Sequence, residues 1–411
     1  MLSNSLSTLG IFSNQPEFGQ VLHVGKPNIG DREKLYSRID DMLDRGWLTN
    51  NGPFVQQLEK RISEYLDVKH CVAMCNGTVA LEIATRSLGM SGEVIVPSLT
   101  FVATAHALQW QEVTPIFCDA DPVSFTIDPK QIERFITPRT TGIIGVHLWG
   151  RPCHIEAIES IARKHNLRLV FDASHAFGCT SKGKRIGGFG DAETLSFHAT
   201  KFINSFEGGA VLTNNDELAE KIRFMKNFGF KGMDDVGHIG TNGKMSEISA
   251  AMCLTSIDNL EEFVAINREN YHAYRDGLKF VPGIRIHDID EREENNYQYV
   301  VIDIDREQAN MSRDLLMKIL HAENIRVRRY FYPGCHRMEP YRSYYPNAGA
   351  LLPITEKLTE RQLCLPTGTG INPDLIKKIC SIIQFAVDNS NHIIERLKTE
   401  KKDLKLEFLK L

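Results

Sequence analysis

The chain has 411 residues, 42% of them hydrophobic and 24% charged, with 48 Lys and Arg against 52 Asp and Glu and a formal net charge of −4. At roughly 100–200 residues per domain this predicts more than one domain, and it excludes a small stapled scaffold or a disordered charged tail. The near-neutral balance gives no electrostatic case for nucleic acid or an anionic membrane surface as partner, which leaves small-molecule chemistry.

The opening MLSNSLSTLGIFSNQPEFG lacks the basic n-region of a signal peptide. No apolar run reaches the ~18 residues of a membrane helix, so a cytoplasmic protein is expected. The nine cysteines are scattered without a C-x-x-C pair, the pattern of reduced, mostly buried thiols. Cys71 and Cys75 are not followed by a second Cys/His pair at zinc spacing, so no metal is predicted.

From about residue 55 to 230, short β-rich apolar runs alternate with segments whose apolar residues recur at three and four. Helices are predicted over Val55–Leu66, Thr78–Leu88, Val102–Leu108, Ile155–His165 and Asp216–Phe228. Strands are predicted over Glu93–Pro97, Thr114–Cys118, Thr141–His147, Arg168–Asp172, Thr194–Phe197 and Ala210–Thr213. This βαβα order needs crossover helices on both faces of a largely parallel sheet, and functional groups then gather at the carboxyl ends of the strands. After about residue 245 the pattern predicts one long connecting helix, Ser246–Tyr274. A strand Tyr297–Ile304, a helix Met311–Glu323, a Pro/Gly/Tyr-rich loop Tyr330–Tyr345 and a last helix from Pro373 to about Leu397 follow. The closing KTEKKDLKLEFLKL is either a solvated end or a continuation of that helix. The expected organisation is an N-terminal segment, 1–30, packing on a small domain; a large α/β domain, 31–250; and a small α+β domain, 251–411.

Lys201 stands just past a predicted strand in L-S-F-H-A-T-K-F-I-N-S-F-E-G-G-A. As an isolated residue it reads as a surface charge. Among Phe197, Phe202, Ile203 and Phe206 it would instead be desolvated, with a lowered pKa and an amine nucleophilic toward aldehydes, the chemistry of a Schiff-base lysine. Upstream, R-L-V-F-D-A-S-H-A-F-G puts Asp172 at the end of an apolar strand, where a carboxylate needs a partner. It is either a helix N-cap or the companion of a cation such as a pyridinium nitrogen. His175, three residues on, lies against a cofactor or packs in the core. In M-C-N-G-T-V-A-L, Asn76, Gly77 and Thr78 open a helix that either is simply capped or cradles a phosphate, with Ser196 donating from the neighbouring strand end. Phe101, just past another strand, is either a core aromatic or a stacking platform.

Taken together, W-L-T-N-N-G-P, N-G-T-V-A-L, P-S-L-T-F-V-A-T, F-D-A-S-H-A-F-G, S-F-H-A-T-K…E-G-G-A, H-I-G-T-N-G-K-M-S-E and R-R-Y-F-Y-P-G-C-H, collinear over roughly residues 22–390, resemble the DegT/DnrJ-type nucleotide-sugar aminotransferases. The resemblance implies an α/β protein of the pyridoxal phosphate-dependent transferase fold type I: a large domain with a mostly parallel central sheet flanked by helices, plus a smaller C-terminal α+β domain. It implies pyridoxal 5′-phosphate alternating with pyridoxamine 5′-phosphate, and a homodimer with shared active sites. Lys201 would carry the coenzyme, Asp172 pair with the pyridine nitrogen, Phe101 stack on the ring and His175 lie on its opposite face or phenolic side. Asn76, Gly77, Thr78 and Ser196 would hold the phosphate, with Asn242 from the second subunit. Lys244 stands where the family often has arginine and lacks its forked donor geometry. Tyr330 and His336 fall where relatives line the sugar pocket. The implied reaction moves an amino group from L-glutamate to a nucleotide-linked keto sugar, a dTDP-4-keto-6-deoxyhexose ahead of a 3-keto isomer. Lys201 sets the chain apart from relatives that are dehydratases with histidine there. Two other readings compete: a nicotinamide dehydrogenase, for which no G-x-G-x-x-G opens a helix after a first strand, and a non-catalytic regulatory protein on the same fold.

Overall fold

The structure, a computed structural model, describes residues 6–400; most of the charged C-terminal stretch lies outside the described residues. Seven strands form the central sheet: β1 (His70–Met74), β2 (Glu93–Pro97), β3 (Thr114–Cys118), β4 (Thr140–Val146), β5 (Arg168–Asp172), β6 (Ala192–Ser196) and β7 (Gly209–Thr213). They run in the spatial order β1-β7-β6-β5-β4-β2-β3. From β6 to β3 the pairing is parallel, and β7 is antiparallel to both neighbours.

Alternation along each strand explains how both faces are filled. Ile95, Ile143, Leu169, Phe171 and Leu212 point to one side, against α1 (Pro53–Leu66) and the segments beginning at Ile155 and Glu247. Their neighbours Val94, Val96, Ile144 and Val170 point to the other, against α2 (Gly77–Ser87) and α3 (Ala103–Gln109). Loops at the carboxyl ends of the parallel strands are left to carry function.

Beyond this layer lies a three-stranded antiparallel sheet of β8 (Ile284–Ile286), β9 (Val300–Ile304) and β10 (Gln362–Leu365). It shares a core with α4 (Leu260–Leu278), α5 (Arg313–Ala322) and α6 (Pro373–Asp388). Leu9, Ile11, Phe12 and Phe18 belong to the same core. Glu323, just past α5, accepts from the Gly10 and Glu17 N–H groups (2.6 and 2.7 Å), and Leu22–His23 pairs in parallel with Ile325–Arg326.

The long helix expected over Ser246–Tyr274 is two helices, Glu247–Asp258 and α4, separated at Asn259. Asn259 Oδ1 there accepts from the Asp31 N–H (3.1 Å); such side-chain bonding competes with helix continuation. The last predicted helix likewise breaks at Asn389. The strand expected from Tyr297 starts at Val300, because Tyr297 sits at φ +50°. All nine cysteines are unpaired and eight are buried. No helix of the described residues is long and apolar enough to cross a membrane.

Candidate active site

Strands β5 and β6, side by side and parallel, deliver the central groups. Asp172 ends β5 and is 6% exposed. Its carboxylate accepts from Thr104 Oγ1 (3.0 Å) and from the Ser174 N–H (3.1 Å), and Thr104 is in turn 3.1 Å from Thr100 Oγ1. Both donors to the carboxylate are neutral, and among the described residues no side chain forms an ion pair with it. Lys201 lies in the loop after β6, its N–H donating to the His198 carbonyl (2.8 Å). Burial pushes its amine down to about 8, with the charge of nearby Asp172 pulling the other way. Roughly a tenth of the amine is then free base at pH 7, far more than for a solvated lysine.

His175 is 4% exposed. Burial, and secondarily the charge of Lys201, holds its ring well below the usual histidine range. The Trp149 N–H donates to its Nδ1 (3.3 Å), so the neutral ring carries its proton on Nε2. Phe331 lies parallel to it at 5.8 Å between centroids, and Tyr299 is tilted against it at 4.8 Å. Phe331 also meets Phe101 (6.0 Å) and Tyr330 (5.0 Å). Phe101 itself is 55% exposed, so it is not a core aromatic.

The start of α2 lies against the end of β6. Asn76 caps the helix by accepting from the Val79 N–H (2.8 Å). The N–H groups of Gly77 and Thr78 belong to the set that every helix start leaves without intrahelical acceptors. Ser196 stands directly over this turn: a Cβ at Gly77 would fall 2.8 Å from Ser196 Cβ, so only glycine leaves room for the strand end. Backbone donors and the Ser196 side chain thus meet where the helix dipole favours an anion.

The remaining sequence candidates lie elsewhere. Asn242 is exposed, on a segment that bridges Asn227 and whose Gly243 carbonyl accepts from the Cys75 N–H (2.9 Å). Lys244 donates to Asn227 Oδ1 (3.1 Å) and lies over the Phe228 ring. His336 is 1% exposed and has both ring nitrogens engaged, by Ser98 and Glu356.

Sequence reading passed over the run E-N-N-Y-Q-Y ahead of β9 and the role of Phe331. Asn296, 1% exposed, donates to the carbonyls of His175 (3.0 Å) and Phe177 (3.1 Å). Gln298 donates to the Thr200 carbonyl (2.7 Å) next to Lys201. A polar amide pair just before a mostly apolar strand was the available signal.

A parallel sheet that presents a desolvated lysine and a buried acid at its strand ends defines the fold type I enzymes that depend on pyridoxal phosphate. The family model of the DegT/DnrJ/EryC1/StrS aminotransferases matches residues 30–384, and the chain belongs to that family. A Shigella dysenteriae protein described as dTDP-4-amino-4,6-dideoxy-D-glucose transaminase is 38% identical over 365 residues, 88% of this chain and 98% of its own length. Among solved structures, DesI in the presence of its TDP-sugar product matches with a TM-score of 0.92 at 46% identity, over 96% of this chain and 100% of that one. Helicobacter pylori PseC, an aminotransferase involved in pseudoaminic acid biosynthesis, matches at 0.84 with 25% identity, over 90% and 100%. The chain is therefore a transaminase, its coenzyme is pyridoxal phosphate in alternation with the pyridoxamine form, and the dehydrogenase and regulatory readings fall away. The residues present fit that coenzyme: a buried acid with only neutral donors lacks a cation, an amine is held well below the usual lysine range, and a helix start crossed by Ser196 offers an anion cradle.

Proposed function

We propose that this enzyme transfers an amino group from L-glutamate to C-4 of a dTDP-linked 4-keto-6-deoxyhexose. The observation that carries the chemistry is the Lys201 amine, pushed down to about 8 beside a carboxylate that no described cation satisfies. The choice of sugar rests on the 38% identity to a transaminase named for dTDP-4-amino-4,6-dideoxy-D-glucose and on the likeness to DesI.

In this reading Lys201 Nζ holds the coenzyme, Asp172 pairs with its ring nitrogen, and Phe101 and His175 cover its two faces. The Gly77 and Thr78 N–H groups and the Thr78 and Ser196 hydroxyls hold its phosphate, with Asn76 shaping the turn as the cap of α2. When bound, the coenzyme supplies an aldehyde for the amine and a protonated ring that withdraws electrons from the carbon losing its proton. Thr104 and Ser174 donate to the Asp172 carboxylate and fix its orientation toward the ring nitrogen. Released by the incoming donor, Lys201 Nζ takes the proton from the donor's α-carbon and, in the second half of the cycle, gives one to C-4 of the sugar. Tyr330 borders the space where the sugar docks. Lys244, whose amine donates to Asn227 and lies over Phe228, is assigned no step in this reading.

The active unit is a homodimer. Phe228, Met233, Val236 and Ile239 are exposed on one excursion of the chain, at 47%, 94%, 58% and 73%, and Trp47 and Leu48 are half exposed. A second copy of the chain covers such apolar surface best. The exposed position of Asn242 next to that excursion suits delivery into a neighbouring site, where Asn242 of the partner subunit completes the phosphate cradle.

The test is to incubate the purified enzyme with glutamate and then with a panel of keto sugar nucleotides, following the coenzyme's visible absorption and the product masses. Glutamate should bleach the aldehyde band, and the dTDP-linked 4-keto sugar should restore it with formation of a 4-amino sugar nucleotide. Bleaching that only a 3-keto isomer or no sugar reverses contradicts the assignment.

A further inference from the structure

Ser98 and His336 are 0% and 1% exposed, yet the chemistry above uses neither. Ser98 opens the loop after β2. His336 Nδ1 is 2.7 Å from Ser98 Oγ, and the His336 N–H donates to the same oxygen at 3.1 Å. The adjacent Cys335 N–H donates to the Ser98 carbonyl (2.9 Å), and Cys335 Sγ donates to the Thr100 carbonyl (3.3 Å). Gly334, at φ +87°, permits the approach: a Cβ there would stand 3.1 Å from His336 Nδ1. Behind the ring, Nε2 meets Glu356 Oε1 at 2.5 Å, an oxygen that also accepts from Arg337 Nε.

The donors and acceptors close in one way. A carboxylate only accepts, so Nε2 carries the proton. The neutral ring's Nδ1 then accepts from the Ser98 hydroxyl, whose oxygen takes the His336 N–H. Burial favours that neutral form, holding the ring below the usual histidine range against the pull of Glu356. No ring nitrogen is left over for a substrate. On the far side of the same loop, Thr100 and Thr104 lead to Asp172 Oδ2 (3.1 and 3.0 Å), and Phe101 projects between these two anchors.

We propose that His336 is a positioning residue: by fixing Ser98 it sets the loop of residues 98–102, and thereby the aim of Phe101 at the coenzyme and of Thr104, at the start of α3, at Asp172, without itself touching the sugar. This departs from the sugar-pocket role that family resemblance implies for His336, and it rests on the coenzyme placement proposed above. His336 acts on the coenzyme end of the reaction and not on recognition of the sugar.

Coenzyme-free wild type, His336→Phe, His336→Asn and Ser98→Ala are titrated with pyridoxal phosphate by absorbance, and KM for the keto sugar nucleotide is measured on the loaded enzymes. His336→Phe and Ser98→Ala should each weaken coenzyme binding about tenfold, the size expected for a buried hydrogen bond removed, with the sugar KM within about twofold of wild type. His336→Asn, whose amide oxygen takes the place of Nδ1 as acceptor for Ser98, should recover most of the affinity. If His336→Phe does not fold, the contrast between Ser98→Ala and His336→Asn decides alone. A raised sugar KM with unchanged coenzyme affinity, or coenzyme binding like wild type in all variants, overturns the proposal. If wild-type coenzyme is not joined to Lys201 at all, the reading of the active site fails and this one falls with it; if it is joined there and the variants bind normally, only the part given to His336 fails.

Discussion

Asp172, Ser196 and Lys201 reach the site from adjacent parallel strands, each within a few residues of a strand end. Tyr299, Tyr330 and Phe331 reach it from the loops around β9 and after α5, and they contribute faces and edges of rings where the large sheet contributes charge. Under the proposed function the contrast is a division of labour: the parallel sheet would supply the groups that hold and move protons, and the smaller layer the walls that fix and desolvate them. If that holds, damage to the first side should abolish chemistry, and damage to the second should loosen binding.

The largest effect is expected from Lys201→Ala. Loss of the proton carrier alone should lower turnover by about 10²–10⁴-fold, measured as aminated sugar nucleotide formed with glutamate as donor. Asp172→Asn comes next, since it replaces the carboxyl group proposed to pair with the ring nitrogen while keeping the volume. A fall on the order of 10²–10³-fold in kcat is expected, with a changed coenzyme absorption band.

A pH experiment sharpens the same side without turnover. With an amine pushed down to about 8, coenzyme-free enzyme should capture pyridoxal phosphate at a rate that falls about tenfold per pH unit below about 8 and levels off above it, because only the unprotonated amine attacks. A midpoint near the ordinary lysine value of 10.5 would show Lys201 solvated.

On the other side, Phe331→Ala removes the ring that meets His175, Phe101 and Tyr330 together. About tenfold weaker coenzyme binding is expected, from stacking energies of about 0.5–1.5 kcal/mol per aromatic pair, with a loss of kcat much smaller than for Lys201→Ala. A loss as large as that of Lys201→Ala would erase the distinction between the two sides.

The same contrast governs what the sequence disclosed. Glu93–Pro97, Thr114–Cys118 and Arg168–Asp172 were legible to the residue, because strands buried on both faces read as unbroken apolar runs and chemistry collects at their ends. β1 escaped notice: His-Cys-Val-Ala-Met is poor in β-branched residues, and its pairing with β7 is a distant antiparallel contact that no local pattern encodes. Asn259 and Asn389 broke helices whose apolar periodicity ran on, since the stop came from a side-chain bond and a turn without Gly or Pro. Asn296 and Gln298 were invisible for a similar reason: they matter through carbonyls of residues 175, 177 and 200, more than ninety positions away. His336 shows the limit from the other direction. Its motif marked it as belonging to the site, while only the structure shows both ring nitrogens committed to Ser98 and Glu356.

The most direct measurement is borohydride reduction of the coenzyme-loaded enzyme, followed by proteolysis and mass mapping of the pyridoxyl label. The label should sit on Lys201 and be missing from that peptide in Lys201→Ala. A label on any other lysine, or none, would contradict the assignment on which the chemistry of the large sheet depends.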